Sequence, residues 1–243
     1  MRVTCIMPTN VRRRAWLPHA IENFHAQEYR DKELLVIDDG GDESGENVAD
    51  LCVSHGPEVI YFRRPVGTSV GAKLNFGCEI ARGDTFVEWD DDDWSAPWRL
   101  AYQAWELRAS GAPVCGLAAW YYLAGDRAYL YHYPPDQPRW LAGSTMAWTR
   151  AWWEAHRFPS ENVGLEAVFL DGCRDARAHD VKDWFVATMH DGNHTPKRIH
   201  SWYTSVPMAR LERLMGPMLD TYVTLTTRGE TAWTKGTAPD TSR

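Results

Sequence analysis

Apolar residues in the first hundred positions fall into short runs separated by stretches of helical spacing. "VTCIMP" (Val3 to Pro8) is an apolar run closed by proline, the pattern of a buried strand. Leu17, Ala20, Ile21 and Phe24 then recur at the three- and four-residue steps of an amphipathic helix. "ELLVIDD", "EVIYF" and "TFVEW" predict three further strands, the first followed by the Gly- and Asp-rich loop "GGDESGEN". Val70, Leu74, Gly77, Cys78 and Ala81 form one helical stripe, and Trp98, Tyr102, Trp105 and Ala109 another, with Pro97 placed to open that helix. Strands alternating with helices predict a parallel sheet with right-handed crossovers, whose ligand lies beyond the carboxyl ends of the strands. Those ends carry Pro8-Thr9-Asn10, Asp38-Asp39-Gly40 and Asp90 to Asp93, which are therefore expected to meet at one crevice.

The second half is less regular. "AYLYHY" and "STMAWT" predict strands, the first bounded by the breaker "PPDQP" and the second leading into the helix-like "RAWWEAH". An acid-rich helix over Gly164 to Asp175, a strand near Trp184 to Met189 and the loop "HDGNHTPK" follow. The polar tail from Gly229 is expected to be mobile. No repeat or linker divides the chain, so one domain over residues 1–228 is expected, with a nucleotide-binding half (1–100) and an acceptor half (101–228).

Composition narrows the function. The 243 residues are 44% hydrophobic and 24% charged, with a formal net charge of -7, which argues against nucleic acid as the main partner. The longest apolar candidate, "VCGLAAWYYLAG", is too short to cross a bilayer, and strand-like residues begin at Val3 where a signal peptide would stand. The five cysteines are odd in number and lack metal-type spacing, so reduced thiols and a cytoplasmic location are expected. Thirteen tryptophans are assigned first to core packing, with stacking on sugars or bases as the competitor.

The densest charge lies in "EWDDDDW", directly after an apolar strand. Unit charges about 4 Å apart repel by roughly 1 kcal/mol in water and by more near a protein surface, so four adjacent carboxylates call for water, a cation, or both. A row of Asp at a strand end suits Mg²⁺ or Mn²⁺, which prefer carboxylate oxygens and keep open positions for phosphate; a solvated acidic loop is the bland reading.

Four segments in this order resemble the family 2 glycosyltransferases: the opening strand into "PTN", "LLVIDDGGDES", "GAKLNFGCEIARGD" and "EWDDDDW", with "GSTMAWTRAWWEAHRF" as a looser fifth. The resemblance implies an inverting enzyme of GT-A fold, a single Rossmann-like domain with a mostly parallel central sheet and helices on both faces. It places Pro8, Thr9 and Asn10 along the nucleotide pocket, and Asp39, with Asp38 beside it, on the base or ribose. Lys73 falls where the family has a basic residue near the nucleotide. A plain turn at Asp38-Asp39-Gly40 and a solvated Lys73 are the bland alternatives, and Asn75 reads equally as a local helix hydrogen bonder.

The same resemblance makes Asp90 and Asp92 the Asp-x-Asp pair, with Asp92 the first choice for direct metal ligand. Asp91 and Asp93 offer the overlapping register, and an outer Asp such as Asp90 or Asp91 is then free for the ribose or sugar. "VGLEAVFL" matches the segment holding the acceptor-side base, but Leu165 replaces the first of the usual two acids, which leaves Glu166 as base and Glu161, Asp171 and Asp183 as fallbacks. In "HDGNHTPK" the implied metal-completing histidine is His190, then His194.

The donor expected is a nucleoside-diphosphate sugar, with uridine tried first, and the cofactor Mn²⁺ or Mg²⁺. The acceptor stays open among glycan, lipid-linked sugar, protein, metabolite and modified nucleic acid base, as does oligomeric state. Two rivals remain: a sugar nucleotidyltransferase, against which "PTNVRRRAW" lacks the glycine of a triphosphate loop, and a degenerate nucleotide- or glycan-binding module. Arg12 to Arg14 read as a solvated basic loop, with approach to the diphosphate or an anionic acceptor as the competitor. Trp89 and Trp94 read as packing beneath the acidic run, with a wall of the donor site as the other possibility. The aromatic run "WYYLAGDRAYLYHY" reads as core or as acceptor groove.

Overall fold

The apolar run at the amino terminus folds as β1 (Val3–Thr9), buried throughout except at Pro8. A computed structural model of the chain describes residues 1–41, 48–133, 141–180, 183–194 and 198–227. The tail from Gly229, the breaker "PPDQP" and part of the "GGDESGEN" loop lie outside the described residues. The other strands are β2 (Lys32–Asp38), β3 (Val59–Arg63), β4 (Thr85–Glu88), β5 (Trp94–Ser95), β6 (Val114–Leu117), β7 (Ala119–Ala124), β8 (Arg127–His132), β9 (Ala147–Thr149), β10 (Arg177–His179), β11 (Phe185–Thr188) and β12 (Tyr203–Val206). The α-helices are α1 (Leu17–His25), α2 (Val48–Ser54), α3 (Val70–Ile80), α4 (Arg99–Ser110), α5 (Arg150–Ala155), α6 (Leu165–Phe169), α7 (Met208–Met215) and α8 (Met218–Thr227).

Seven strands form the central sheet in the order β10-β6-β9-β4-β1-β2-β3. Its pairs are parallel except at β9, which runs against both β4 and β6. Alternation along β1 sends Val3, Cys5 and Met7 to one face, where they pack with α1, α2 and α4 through Leu17, Ile21, Cys52 and Leu100. Ile6 goes to the other face, with Leu74 and Cys78 of α3, Trp153 of α5 and Phe169 of α6. This is the expected sheet with helices on both sides.

A second sheet, absent from the sequence reading, has the order β12-β8-β7-β11-β5 and is antiparallel except between β7 and β11. It packs on Leu211 and Met215 of α7 and Leu219 and Tyr222 of α8. Each sheet draws strands from both halves of the chain.

Two helix expectations are corrected. In α4 the residues that face the core are Arg99, Leu100, Gln103, Ala104 and Leu107, while Trp105 is 55% exposed and Ala109 faces solvent. Pro97 lies before this helix, in a turn. The helix expected over Gly164 to Asp175 is only α6, because Asp171 and Cys173 fold back onto the carbonyls of Val168 and Leu170 and Gly172 takes a φ of 75°. All five cysteines are unpaired thiols, and among the described residues no helix is long and apolar enough to cross a membrane.

Candidate active site

β1 and β4 are neighbours and parallel, so their carboxyl ends emerge side by side. Thr9 at the end of β1 donates its hydroxyl to Asp91 Oδ2 at 2.6 Å. The Asn10 side chain then accepts the Arg12 N–H at 2.9 Å and starts a single 3₁₀ turn, Val11–Arg13, that directs Arg13 inward. The buried Arg13 Nη1 hydrogen-bonds Asp92 Oδ2, stands 3.7 Å from Asp91 Oδ1 and 3.0 Å from His190 Nε2. His190 Nε2 is 2.9 Å from the same Asp92 oxygen, to which Asn193 Nδ2 also donates at 3.1 Å. The imidazole stacks on Trp16 with ring centroids 4.7 Å apart.

The rest of the acidic run is held by the second sheet and its helices. Thr188 of β11 donates its N–H to Asp93 Oδ1 at 2.8 Å and its hydroxyl to the Asp92 carbonyl at 2.9 Å, and the Tyr222 hydroxyl of α8 reaches the Asp93 carbonyl at 3.2 Å. Behind the run lies Arg99, fully buried, donating to the carbonyls of Glu88 and Ser144 and to Ser95 Oγ, with Trp89, Trp184 and Phe185 around its guanidinium. Burial pulls the Arg99 pKa down to about 10, although the acids in front oppose this.

Burial and mutual repulsion act strongly on the carboxylates. Asp90 and Asp91 are pushed up to about 7, by burial first; Asp92 adds to the rise in both, and Arg13 opposes it. Glu88 and Asp93 are raised well above the usual range for the same reasons. Asp92 goes the other way: burial would raise it, but the Arg13 charge and the His190 hydrogen bond outweigh that and hold it well below the carboxylate norm.

Asp90, Asp92 and Asp93 each offer an oxygen, and these atoms lie within 4.8 Å of one another. Three hard oxygen donors on one loop fit Mg²⁺ or Mn²⁺, and His190 meets the group through Asp92. Asp93 thus joins Asp90 and Asp92, whereas Asp91 turns towards Thr9 and Arg13.

At the end of β2, Asp38 takes hydrogen bonds from Arg14 Nη2 at 2.8 Å, the Gly40 N–H at 2.8 Å and the Tyr61 hydroxyl at 3.1 Å. Asp39 accepts Lys73 Nζ at 2.6 Å and the Gly67 N–H at 3.0 Å. Lys73 is buried and also donates to the Thr9 carbonyl at 2.8 Å, so it ties β1 to Asp39 instead of reaching solvent. Asn75 fastens α3 to the segment after α5, bonding both the N–H and the carbonyl of Phe158 and the indole of Trp153.

A cleft of about 530 Å³ opens above the acidic run. Pro8, Asn10, Arg13, Asp90 to Asp93 and Glu166 line it; Thr9, Asp38, Asp39, Lys73 and His190 are set behind those walls. Glu166 lies in the first turn of α6 beside Gly143, where an added Cβ would stand 2.3 Å from Glu166 Oε1. Leu165 is buried, so of these two adjacent positions only Glu166 offers the cleft a polar group. The fallback acids are elsewhere: Asp183 pairs with Arg210 at 2.6 Å, and Glu161 and Asp171 are exposed. His194 lines the cleft. Trp89 packs beneath the run and donates to the Ala20 carbonyl at 3.2 Å, and Trp94 is buried in the second sheet.

Three residues central to this arrangement were not singled out from sequence: Arg99, Gly143 and Asn193. The basic triple is corrected in part, since Arg12 is exposed but Arg13 and Arg14 turn inward onto carboxylates. The only sequence signal for that was Asn10, a capping residue placed to start the turn that carries them.

Comparisons with known proteins bear on the fold and the family. An uncharacterised glycosyltransferase of Rickettsia bellii is 30% identical over 122 residues, covering 50% of this chain and 17% of that protein. One from Rickettsia typhi is 28% identical over 123 residues, covering 50% of this chain and 37% of that protein, so the chain matches only a minor part of these relatives' length. Among solved structures, Staphylococcus aureus TarS in complex with UDP-GlcNAc superposes with a TM-score of 0.64 at 15% identity, covering 80% of this chain and 60% of that one. Mannosyltransferase PcManGT from Pyrobaculum calidifontis, in complex with GDP-Man and Mn²⁺, gives 0.58 at 17% identity, covering 98% and 66%. At these identities the likeness is one of fold, the GT-A type. The family model described as glycosyl transferase family 2 matches residues 4–160, and the chain belongs to that family.

Proposed function

We propose that the chain is a metal-dependent, inverting glycosyltransferase that moves a sugar from a nucleoside-diphosphate donor to an acceptor hydroxyl. The observation that carries this reading is one cleft lined by both the Asp90, Asp92 and Asp93 carboxylates and Glu166. The structural neighbours add support, since both complexes hold nucleoside-diphosphate sugars and one also holds Mn²⁺. Uridine donors are the first trial.

Asp90, Asp92 and Asp93, with His190 behind Asp92, would hold Mn²⁺ or Mg²⁺, which when bound supplies positive charge for the diphosphate oxygens. Pro8 and Asn10 border the nucleotide; Asp39 and Asp38, paired with Lys73 and Arg14 behind the cleft wall, brace the base or ribose end without lining it. Glu166 accepts the acceptor proton as the acceptor oxygen attacks the anomeric carbon. The bond from that carbon to the diphosphate oxygen breaks, its electron pair leaves with the diphosphate, and the configuration inverts. Trp120, Tyr122, Tyr131, Tyr133 and Tyr203 line the same cleft and offer the acceptor flat apolar faces with polar rims. Glu166 directed at the cleft favours an enzyme over the non-catalytic module that Leu165 would suggest.

The test is a panel of UDP- and GDP-sugars with Mn²⁺ or Mg²⁺, read as donor hydrolysis or transfer, with product configuration followed by NMR. We expect turnover of at least one donor and a loss of about a hundredfold or more in Asp92→Asn. If no donor binds and Asp92→Asn matches wild type in every assay, the reading is wrong; retained configuration removes the single-displacement step.

A further inference from the structure

Asp92 Oδ2 is crowded: Arg13 Nη1, His190 Nε2 and Asn193 Nδ2 all point at one oxygen. Of the three, Arg13 carries a fixed positive charge. Its Nη1 also stands 3.0 Å from His190 Nε2, so it fills the space shared by the two atoms that a cation using both would need. Like charges this close repel, more strongly near a protein surface than in water, and a divalent ion doubles the repulsion. The guanidinium and a divalent cation therefore exclude one another at Asp92. Arg13 has somewhere to go, because it lines the cleft in which a donor diphosphate would lie.

We propose that Arg13 is an internal cation that competes with the divalent metal for Asp92 and His190, so the chain takes up metal together with a diphosphate whose negative charge receives the displaced guanidinium. This rests on the metal-dependent reading above. Asp92 is never left without a positive partner: Arg13 holds the acidic run together until the metal–diphosphate pair replaces it. Metal and nucleotide then bind with positive coupling that runs through one side chain, beyond the coupling that arises because a diphosphate is itself a metal ligand.

The test is Mn²⁺ affinity, read from the free-ion EPR signal, for wild type, Arg13→Met and Arg13→Gln, each with and without UDP. Without nucleotide, the variants are expected to bind Mn²⁺ at least about tenfold more tightly than wild type and to gain less from UDP. Their thermal midpoints should fall in EDTA and recover with Mn²⁺, while wild type changes less. If Arg13→Met is folded only with Mn²⁺ present, the same conclusion follows. Equal Mn²⁺ affinity in wild type and Arg13→Gln, with equal gains from UDP, overturns the role of Arg13 and leaves metal dependence standing. Absence of Mn²⁺ binding in all three proteins, with UDP present, overturns both.

Discussion

Asp38-Asp39 and Asp90 to Asp93 stand at the carboxyl ends of β2 and β4, one strand apart, and differ in how their charge is met. Each acid at the end of β2 has its own cation: Arg14 on Asp38 and Lys73 on Asp39, both supported by backbone N–H groups. At the end of β4, four aspartates and Glu88 face Arg13 in front and Arg99 behind. The first end is electrically closed; the second is short of positive charge, which adds to the burial that pushes Asp90 and Asp91 up to about 7. A charge deficit held in place by backbone and side-chain hydrogen bonds marks where a ligand cation belongs. A dense acidic sequence alone does not.

The sharpest way to break the comparison is through the groups facing the cleft. Glu166→Gln should lower kcat by about 10² to 10⁴ with the thermal midpoint unchanged, measured by steady-state turnover and calorimetry. At the closed end the damage should be to stability instead. Lys73→Met leaves a buried carboxylate without its cation and should cost about 3–5 kcal/mol in urea unfolding. Gly143→Ala tests the cradle of Glu166: the side chain can swing aside at little cost to the fold, but a displacement of about 1 Å should lower kcat by about a hundredfold. An unchanged kcat there would separate Glu166 from catalysis.

The smallest effect should be on pH dependence. Asp90 and Asp91 bind protons more tightly folded than unfolded, so the metal-free protein should lose stability as pH rises from about 4 through about 7. Saturating Mn²⁺ should offset that loss, with a stabilisation that grows across the same range. Thermal midpoints with and without Mn²⁺, differing by about a few degrees, would show it.

Much of the β1–β4 half was legible because β1, β2 and β4 are buried on both faces and read as continuous apolar runs, with α1 and α3 patterned between them. The acidic strand ends could be read for the same reason, since charge stands out after an apolar run. What escaped was charge placed inside. Arg99 and Gln103 occupy the core face of α4 because their polar atoms reach Ser95 Oγ and the carbonyls of Glu88, Ser144 and Thr145; a hydrophobic stripe therefore points to the wrong side of that helix. Three adjacent arginines carry no pattern that says which will turn inward. The second sheet escaped because, beyond the β7–β8 hairpin, its short strands are joined by pairings distant in sequence, such as β5 with β11.

Arg99 also bears on how ligands enter. Its guanidinium is bonded at once to the Glu88 carbonyl at the end of β4, to Ser95 in β5 and to the Ser144 carbonyl, and it lies under Trp184 and against Phe185 of β11. One buried side chain thus rivets the two sheets beneath the floor of the cleft. Opening them like a clamshell would strand an unpaired charge in an aromatic interior, so passage in and out belongs to the rim, while the floor stays a single rigid plate.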